Sequence, residues 1–352
     1  MNGRNRERAT RRQQVTTRER QATSDKYRAT SNEQRVQRRA TSNEVGVFLG
    51  KEWRERMVEE LQLKEYFFDF PMARITSFRV GGPADLVVEA ATPGELAAVI
   101  EYCRREGIPW LLVGRGTNLL VRDGGIRGVV IRLGRGFQEL KVWENKILAG
   151  AAVPLSRLAE TAAAAGLSGL EFASGIPGSV GGAIFMNAGA YGGEIGQLIA
   201  EVSLYRPGAG FCRRTREELD FAYRRSRLQE SGEILLDAQF LLVPGEAAEI
   251  RAEMAELNRR RKDKQPLEFP SAGSVFKRPP GEYAARLIEA AGLKGARIGD
   301  AQVAEKHAGF IINRGQATAR EILALIDRVK EEVYQKSGIV LETEVRVVGE
   351  DE

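Results

Sequence analysis

Histidine is almost missing from this chain of 352 residues, with His307 as its single instance. That excludes a multi-histidine metal centre and makes any Ser-His nucleophilic pair depend on one residue. Cysteine is nearly as scarce. Cys103 and Cys212 cannot form a disulfide framework or a four-cysteine metal site, so no metal is expected. No apolar run approaches the roughly 20 residues needed to span a bilayer. The N-terminus lacks the apolar centre of a secretory signal. These absences predict a soluble, cytoplasmic protein.

Large apolar side chains are also rare in residues 1–44, which are rich in Arg, Gln, Thr, Ser and Asn. A loose repeat runs through Arg28-Ala-Thr-Ser-Asn-Glu33 and Arg39-Ala-Thr-Ser-Asn-Glu44. With so little apolar surface to offset ordering entropy, residues 1–44 are expected to form a disordered basic tail. Residues 1–40 carry a net charge of +8, and the remaining chain is −3. The tail reads as a dispensable extension or an initiation codon placed too far upstream. The alternative, binding of RNA or anionic lipid, predicts salt-dependent binding that is lost on deleting residues 1–44.

The length implies two or three domains. Lys51–Glu65 has the pattern of a short amphipathic helix. Asp85–Ala90, Pro109–Val113 and Gly128–Leu133 read as strands, and Gln138–Gly150 as a hairpin. Thr92-Pro93-Gly94-Glu95 fits a capping box with proline in the first helical position, and Gly107 ends that helix. Pro154–Ala165 is a further helix. Thr318-Ala-Arg-Glu321 opens another, running to about Gln335, and a final strand is expected over Ile339–Val348. Alternating strands and helices indicate an α/β or α+β class.

Glycine, at 38 residues, is in excess, and the excess gathers in three loops. They are Thr76-Ser-Phe-Arg-Val-Gly-Gly-Pro-Ala84, Gly114-Arg-Gly-Thr-Asn-Leu-Leu120, and Ser174-Gly-Ile-Pro-Gly-Ser-Val-Gly-Gly-Ala183, the last followed by Met186–Gly193. Glycine lets the backbone approach a ligand and turn its N–H groups inward, which suits a pyrophosphate. A Rossmann fingerprint fails because Leu119 stands where the third glycine belongs and no acid ends the next strand. No Gly-Lys-Ser/Thr occurs, so a Walker A loop fails too. Ordinary tight turns would explain one such loop, but three within 120 residues point to a large phosphate-bearing cofactor held by backbone amides.

The loops at 114–120 and 175–182 resemble the FAD-binding loops of the UDP-N-acetylenolpyruvoylglucosamine reductase family. Three later motifs agree: Tyr223-Arg-Arg-Ser226, Ser271-Ala-Gly-Ser-Val-Phe-Lys-Arg-Pro279 and Leu341-Glu-Thr-Glu-Val-Arg346. The resemblance runs from about Asp69 to Gly349 and fits the compact form of the family. It implies an α+β fold made of α/β elements: a two-subdomain FAD-binding module of the vanillyl-alcohol-oxidase (PCMH) type, plus a C-terminal α+β substrate-binding domain. The implied boundaries are residues 48–130 and 131–220 for FAD and residues 221–352 for substrate.

The resemblance further implies non-covalent FAD, reduced by NADPH, and reduction of an enolpyruvyl group on a UDP-sugar in peptidoglycan precursor synthesis. The implied proton donor is Ser274, with Arg224 and Glu344 stabilising the enolate. Glu344 makes better electrostatic sense protonated or as a hydrogen-bonding group, since an ionised carboxylate would repel an enediolate; the alternative for it is a salt bridge with Arg346. FAD would lie on Arg79, Gly81, Gly114, Arg115, Gly116, Thr117, Asn118 and Leu119. It would also touch Gly175, Ile176, Pro177, Gly178, Ser179, Gly181, Gly182 and Ala183. Substrate contacts are expected from Tyr191, Tyr223, Lys264 and His307, with His307 read foremost as a core or supporting residue. Arg278 stands where the family's longer form has asparagine. Cys103 is expected to pack inside its helix. The chain is expected to act as a monomer, without nucleic acid or a membrane span. A flavin oxidase with another substrate and a nucleotide- or RNA-binding protein are the competing readings.

Overall fold

The computed structural model describes residues 50–351, so the expectation for residues 1–44 lies outside it. From Arg54 onward the described chain packs as one unit. The first helix spans Glu52–Leu61, shorter than the stretch its pattern suggested. The apolar run Leu86-Val-Val is the centre of the Pro83–Ala90 strand and is buried on both faces. It pairs with Tyr66–Pro71 on one side and Ile126–Leu133 on the other, and Trp110–Leu112 completes a four-stranded sheet. The helix Pro93–Glu106 starts as expected, with the Thr92 hydroxyl accepting from the Glu95 N–H and Pro93 in the first turn. Its box differs in one respect: the Glu95 carboxylate accepts from the Ala91 N–H rather than from the cap itself. Gly107, at φ 66°, closes it in the left-handed region.

The expected hairpin forms over Leu140–Trp143 and Lys146–Gly150, at one edge of a wholly antiparallel five-stranded sheet. The other strands are Ile234–Leu241, Ile199–Arg206 and Gly210–Thr215. Its core takes in Leu155 and Leu158 of the Leu155–Ala164 helix. It also takes in Ile250, Met254 and Leu257 of the long Ala247–Lys264 helix, so this packing continues past residue 220. A third core lies around the Ala301–Val303 and Ile311–Asn313 strands and the helix Ala319–Ser337. That helix carries a complete Thr318–Glu321 capping box and ends at Gly338.

Two ties bring this last part onto the first. Asp123, in the loop after Leu119–Val121, accepts from the Ala319 and Arg320 N–H groups at 2.8 and 2.9 Å, adding a carboxylate to the positive end of the helix. The buried Asn313 amide donates to the Phe78 carbonyl, and its oxygen accepts from Gly315 and Ala317. The expected ten-residue final strand is corrected to Arg346–Val348, parallel to Leu119–Val121. The residues before it are spent on a different partner: Lys277 N–H donates to Glu342, and Glu344 and Val345 N–H both reach Val275. Simple alternation therefore breaks there. Leu341 and Val345 are buried, but Val347 is exposed.

Candidate active site

A cleft of about 1990 Å³ is the meeting place of the glycine loops and the later motifs. Gly114–Leu119 follows the Trp110–Leu112 strand and forms one wall, and Ser174–Ala183 forms another. The two walls touch. A side chain at Gly114 would put its Cβ 3.0 Å from the Ser179 hydroxyl oxygen. Gly116 has φ 65°, and a Cβ there would lie 2.5 Å from the Ile75 carbonyl oxygen, so only glycine fits that turn.

Two strand-like contacts and one side-chain bond assemble the reactive groups. Ser274 bridges Phe310, with the Val275 N–H donating to Gly309. The Glu344 N–H donates to the Val275 carbonyl at 2.7 Å, bringing Glu344 beside Ser274. The Asn118 side-chain amide donates to the Glu344 carbonyl at 3.1 Å, linking this segment to the first glycine wall.

Arg224 reaches in from another direction. It sits at φ 55°, in a tight turn closed by paired Ala222–Arg225 backbone bonds. A left-handed arginine is strained backbone, held here by its surroundings. Its Nε donates to Glu344 Oε1 at 2.7 Å and one terminal nitrogen to the Gly189 carbonyl at 3.1 Å. Glu344 therefore pairs with Arg224 rather than with Arg346. Burial pushes the Glu344 carboxyl above its ordinary range, opposed by Arg224 and Lys277. Asn187, 2% exposed, ties the 186–193 loop to this turn by donating to Ala222 and Glu194 and accepting from Gly196. Sequence reasoning missed Asn187; its Asn-Ala-Gly setting after a glycine-rich loop was the available signal.

His307 is half-buried on the cleft wall, and its Nδ1 accepts from the Gly309 N–H at 3.1 Å. Burial lowers its pKa, which favours the neutral ring. His307 Nδ1 and the Ser274 hydroxyl oxygen both stand within 3.2 Å of where a Cβ on Gly309 would be. Tyr191, at φ 53°, and Lys264 also line the cleft. Tyr223 stands behind that lining, its ring 5.1 Å from the Arg224 guanidinium carbon and its hydroxyl accepting from the Arg278 N–H. Gly81 also stands off the cleft. It packs against Val121, where a Cβ would meet the valine at 2.6 Å. The other glycine-loop residues named from sequence, and Arg79, line the cleft. Cys103 is buried in its helix, and burial pushes its thiol up to about 12, which leaves it unreactive at neutral pH. Among the described residues no cluster of His, Cys, Asp and Glu could hold a metal ion.

Comparison with known proteins agrees with this geometry. The FAD binding domain family matches residues 83–206, and the C-terminal domain of UDP-N-acetylenolpyruvoylglucosamine reductase matches residues 265–348. Reductases of that name from Clostridium novyi and Clostridium botulinum strain Hall are 49% and 50% identical, over 80% of this chain and 91% and 92% of theirs. The chain belongs to the UDP-N-acetylenolpyruvoylglucosamine reductase family. A crystal structure of the reductase from Thermus caldophilus superimposes with a TM-score of 0.69 at 40% identity, covering 80% of this chain and 98% of that one. The fold is thus the FAD-binding fold of this family.

The residues present fit FAD. Both glycine walls face the cleft with backbone, and a side chain at Gly114 would crowd the Ser179 hydroxyl where the walls meet. Arg79 and Arg115 add positive charge beside the backbone amides, as a pyrophosphate requires.

Proposed function

We propose that this family member is the NADPH-dependent reductase that converts UDP-N-acetylglucosamine enolpyruvate to UDP-N-acetylmuramate, with Ser274, Arg224 and Glu344 as its catalytic residues. The observation that carries the assignment is the convergence of these three side chains, from segments 50 or more residues apart, at the cleft edge beside the FAD loops. FAD, when bound, supplies hydride transfer from NADPH to the enolpyruvyl methylene carbon.

The protein's own groups do the rest. Ser274 places a proton over the adjacent carbon. A hydroxyl is a weak acid, so its value lies in position and in the strong basicity of the enolate it meets. The Arg224 guanidinium, fixed at both Glu344 and Gly189, faces the substrate carboxylate where negative charge grows. Glu344, held toward its protonated form by burial, can donate a hydrogen bond to that charge without repelling it.

Lys264 and Tyr191 on the cleft wall are the substrate's further contacts, with Tyr223 acting through Arg224 and His307 through Ser274. Residues 48–130 and 131–220 hold FAD and residues 221–352 hold substrate, the Ala247–Lys264 helix being shared in packing between them. The enzyme works as a cytoplasmic monomer. No helix among the described residues is long and apolar enough to cross a membrane.

Anaerobic NADPH should bleach the flavin band of the purified protein, and UDP-N-acetylglucosamine enolpyruvate should restore it. Ser274→Ala should leave the bleaching intact and slow the restoration by about 10²- to 10⁴-fold, the usual worth of a positioned proton donor. Loss of both steps would mean that Ser274 has been given the wrong role.

A further inference from the structure

At its tip Arg224 is fixed by Glu344 and Gly189, whereas its left-handed backbone is fixed by a different set of groups. The Arg224 carbonyl accepts from the Gln229 side-chain amide nitrogen, Nε2, at 3.0 Å. The same nitrogen donates to the Phe185 carbonyl at 2.8 Å. An amide nitrogen carries two N–H groups, so both bonds can form at once. The hydroxyl of the buried Ser226 donates to that Phe185 carbonyl as well, also at 2.8 Å.

Phe185 is the last residue of the Val180–Phe185 helix, whose first turn is capped by Ser179 on the second glycine wall. The final carbonyls of a helix have no partner within it. Here one of them moors the arginine turn. A helix of six residues thus joins the FAD wall at one end to the carbonyl of Arg224 at the other, with Gln229 as the link. Gln229 itself is exposed and lines the cleft, so its substitution should change stability little.

We propose that Gln229 is a positioning residue for Arg224: its amide moors the left-handed turn to the FAD-wall helix, so that the guanidinium is in place before charge develops on the substrate carboxylate. The inference rests on the role given to Arg224 above. Stabilisation of this kind depends on donors fixed in advance, and a misplacement of 1 Å can cost about a hundredfold. With the mooring cut, the strain at φ 55° can relax toward the ordinary region, which draws the guanidinium away from its place.

The test uses FAD-loaded wild type, Gln229→Met, Gln229→Lys and Arg224→Gln, with each Gln229 variant also combined with Arg224→Gln. Stopped-flow absorbance follows each half-reaction, and steady-state kinetics separates kcat from KM. Methionine keeps the length of glutamine but has no N–H to give to either carbonyl, while a lysine ammonium has three. Gln229→Met should slow reoxidation by UDP-N-acetylglucosamine enolpyruvate about tenfold, through kcat rather than KM, and leave reduction by NADPH unchanged. Gln229→Lys should recover most of the rate, and only where Arg224 is present. In the Arg224→Gln background the methionine substitution should cost nothing further, since a residue that acts through Arg224 has no more to lose. Reoxidation of Gln229→Met at the wild-type rate, beside a slow Arg224→Gln, would overturn the mooring alone. Normal reoxidation in Arg224→Gln would overturn the role of that arginine and the mooring with it. A raised KM with additive losses would mean that Gln229 touches substrate directly and would overturn the proposal, as would a lysine variant as slow as the methionine one.

Discussion

Gly309→Ala is the most direct probe of how the proton donor is held. The added Cβ would stand 3.0 Å from His307 Cε1, 3.1 Å from the Ser274 hydroxyl oxygen and 3.2 Å from His307 Nδ1. Ordinary carbon contacts lie at about 3.5–4.0 Å, so a neighbour must retreat by roughly half an ångström. The His307 ring has little room to do so. Its Nδ1 accepts from Gly309 itself, and it packs T-shaped with the Phe310 ring, the centroids 4.9 Å apart at 72°. The serine hydroxyl, free to rotate about one bond, is the group that gives. A 1 Å misplacement can cost about a hundredfold, so half of that predicts roughly a tenfold slower reoxidation of reduced enzyme by substrate. The reduction of FAD by NADPH should be untouched, and stability should fall by about 1 kcal/mol from overpacking. Single-turnover stopped-flow absorbance of each half-reaction, with a urea melt beside it, measures all three. Reoxidation at the wild-type rate would refute the placement of the hydroxyl against this turn. Equal slowing of both half-reactions would mean that the substitution acts on the cofactor instead.

Glu344 and Glu233 should give opposite pH signatures. Burial raises Glu344 in the folded state, so its stabilising contribution is full below the ordinary carboxylate value and declines as pH rises through the raised one; Glu344→Gln should flatten that decline in urea midpoints taken across the acid range. Glu233, whose side chain is 2% exposed and clasped by Arg214 at 2.6 Å, is lowered instead, so its contribution stands above the ordinary value and is lost as pH falls through the lowered one. Arg214→Ala, which strands that carboxylate, should cost about 3 kcal/mol at neutral pH, and a loss below 1 kcal/mol would show the pair to be dispensable. Asp123→Ala should remove about 2 kcal/mol by exposing two N–H groups at the start of the Ala319–Ser337 helix, read as a lower denaturant midpoint with an unchanged slope.

Local signals were legible wherever one segment decides its own shape. Thr318 and Glu321 form the box that their spacing announces, Thr92 caps its helix, and Gly107 stops it. The glycine walls were readable for the same reason, since a positive φ such as that of Gly116 leaves few residue types able to occupy it. Contacts between distant segments were hidden. Nothing adjacent to Asp123 indicates that its carboxylate serves a helix 196 residues away, and nothing beside Asn313 points to Phe78. Gly81 looked like its neighbours in the loops, but its freedom is used to pack against Val121.

The C-terminal motif shows why period alone could not settle the site. Alternation over Ile339–Val348 would place Glu342, Glu344 and Arg346 on one face, as three equivalent charges. The chain instead spends the Glu342 and Glu344 backbone on Lys277 and Val275, beside the serine loop, and its strand pairing with the FAD loop begins at Arg346. The change of partner within five residues sorts the three charges. Glu342 is exposed against Lys277, Glu344 turns to Arg224, and Arg346 is left between the cofactor walls with no acid of its own. A motif that alternation would treat as one charged face is therefore a hinge between two partners. Inserting or deleting one residue between Glu344 and Arg346 should uncouple the enzyme, leaving a carboxylate or a guanidinium in place but never both, whereas an equal change after Gly349 should not.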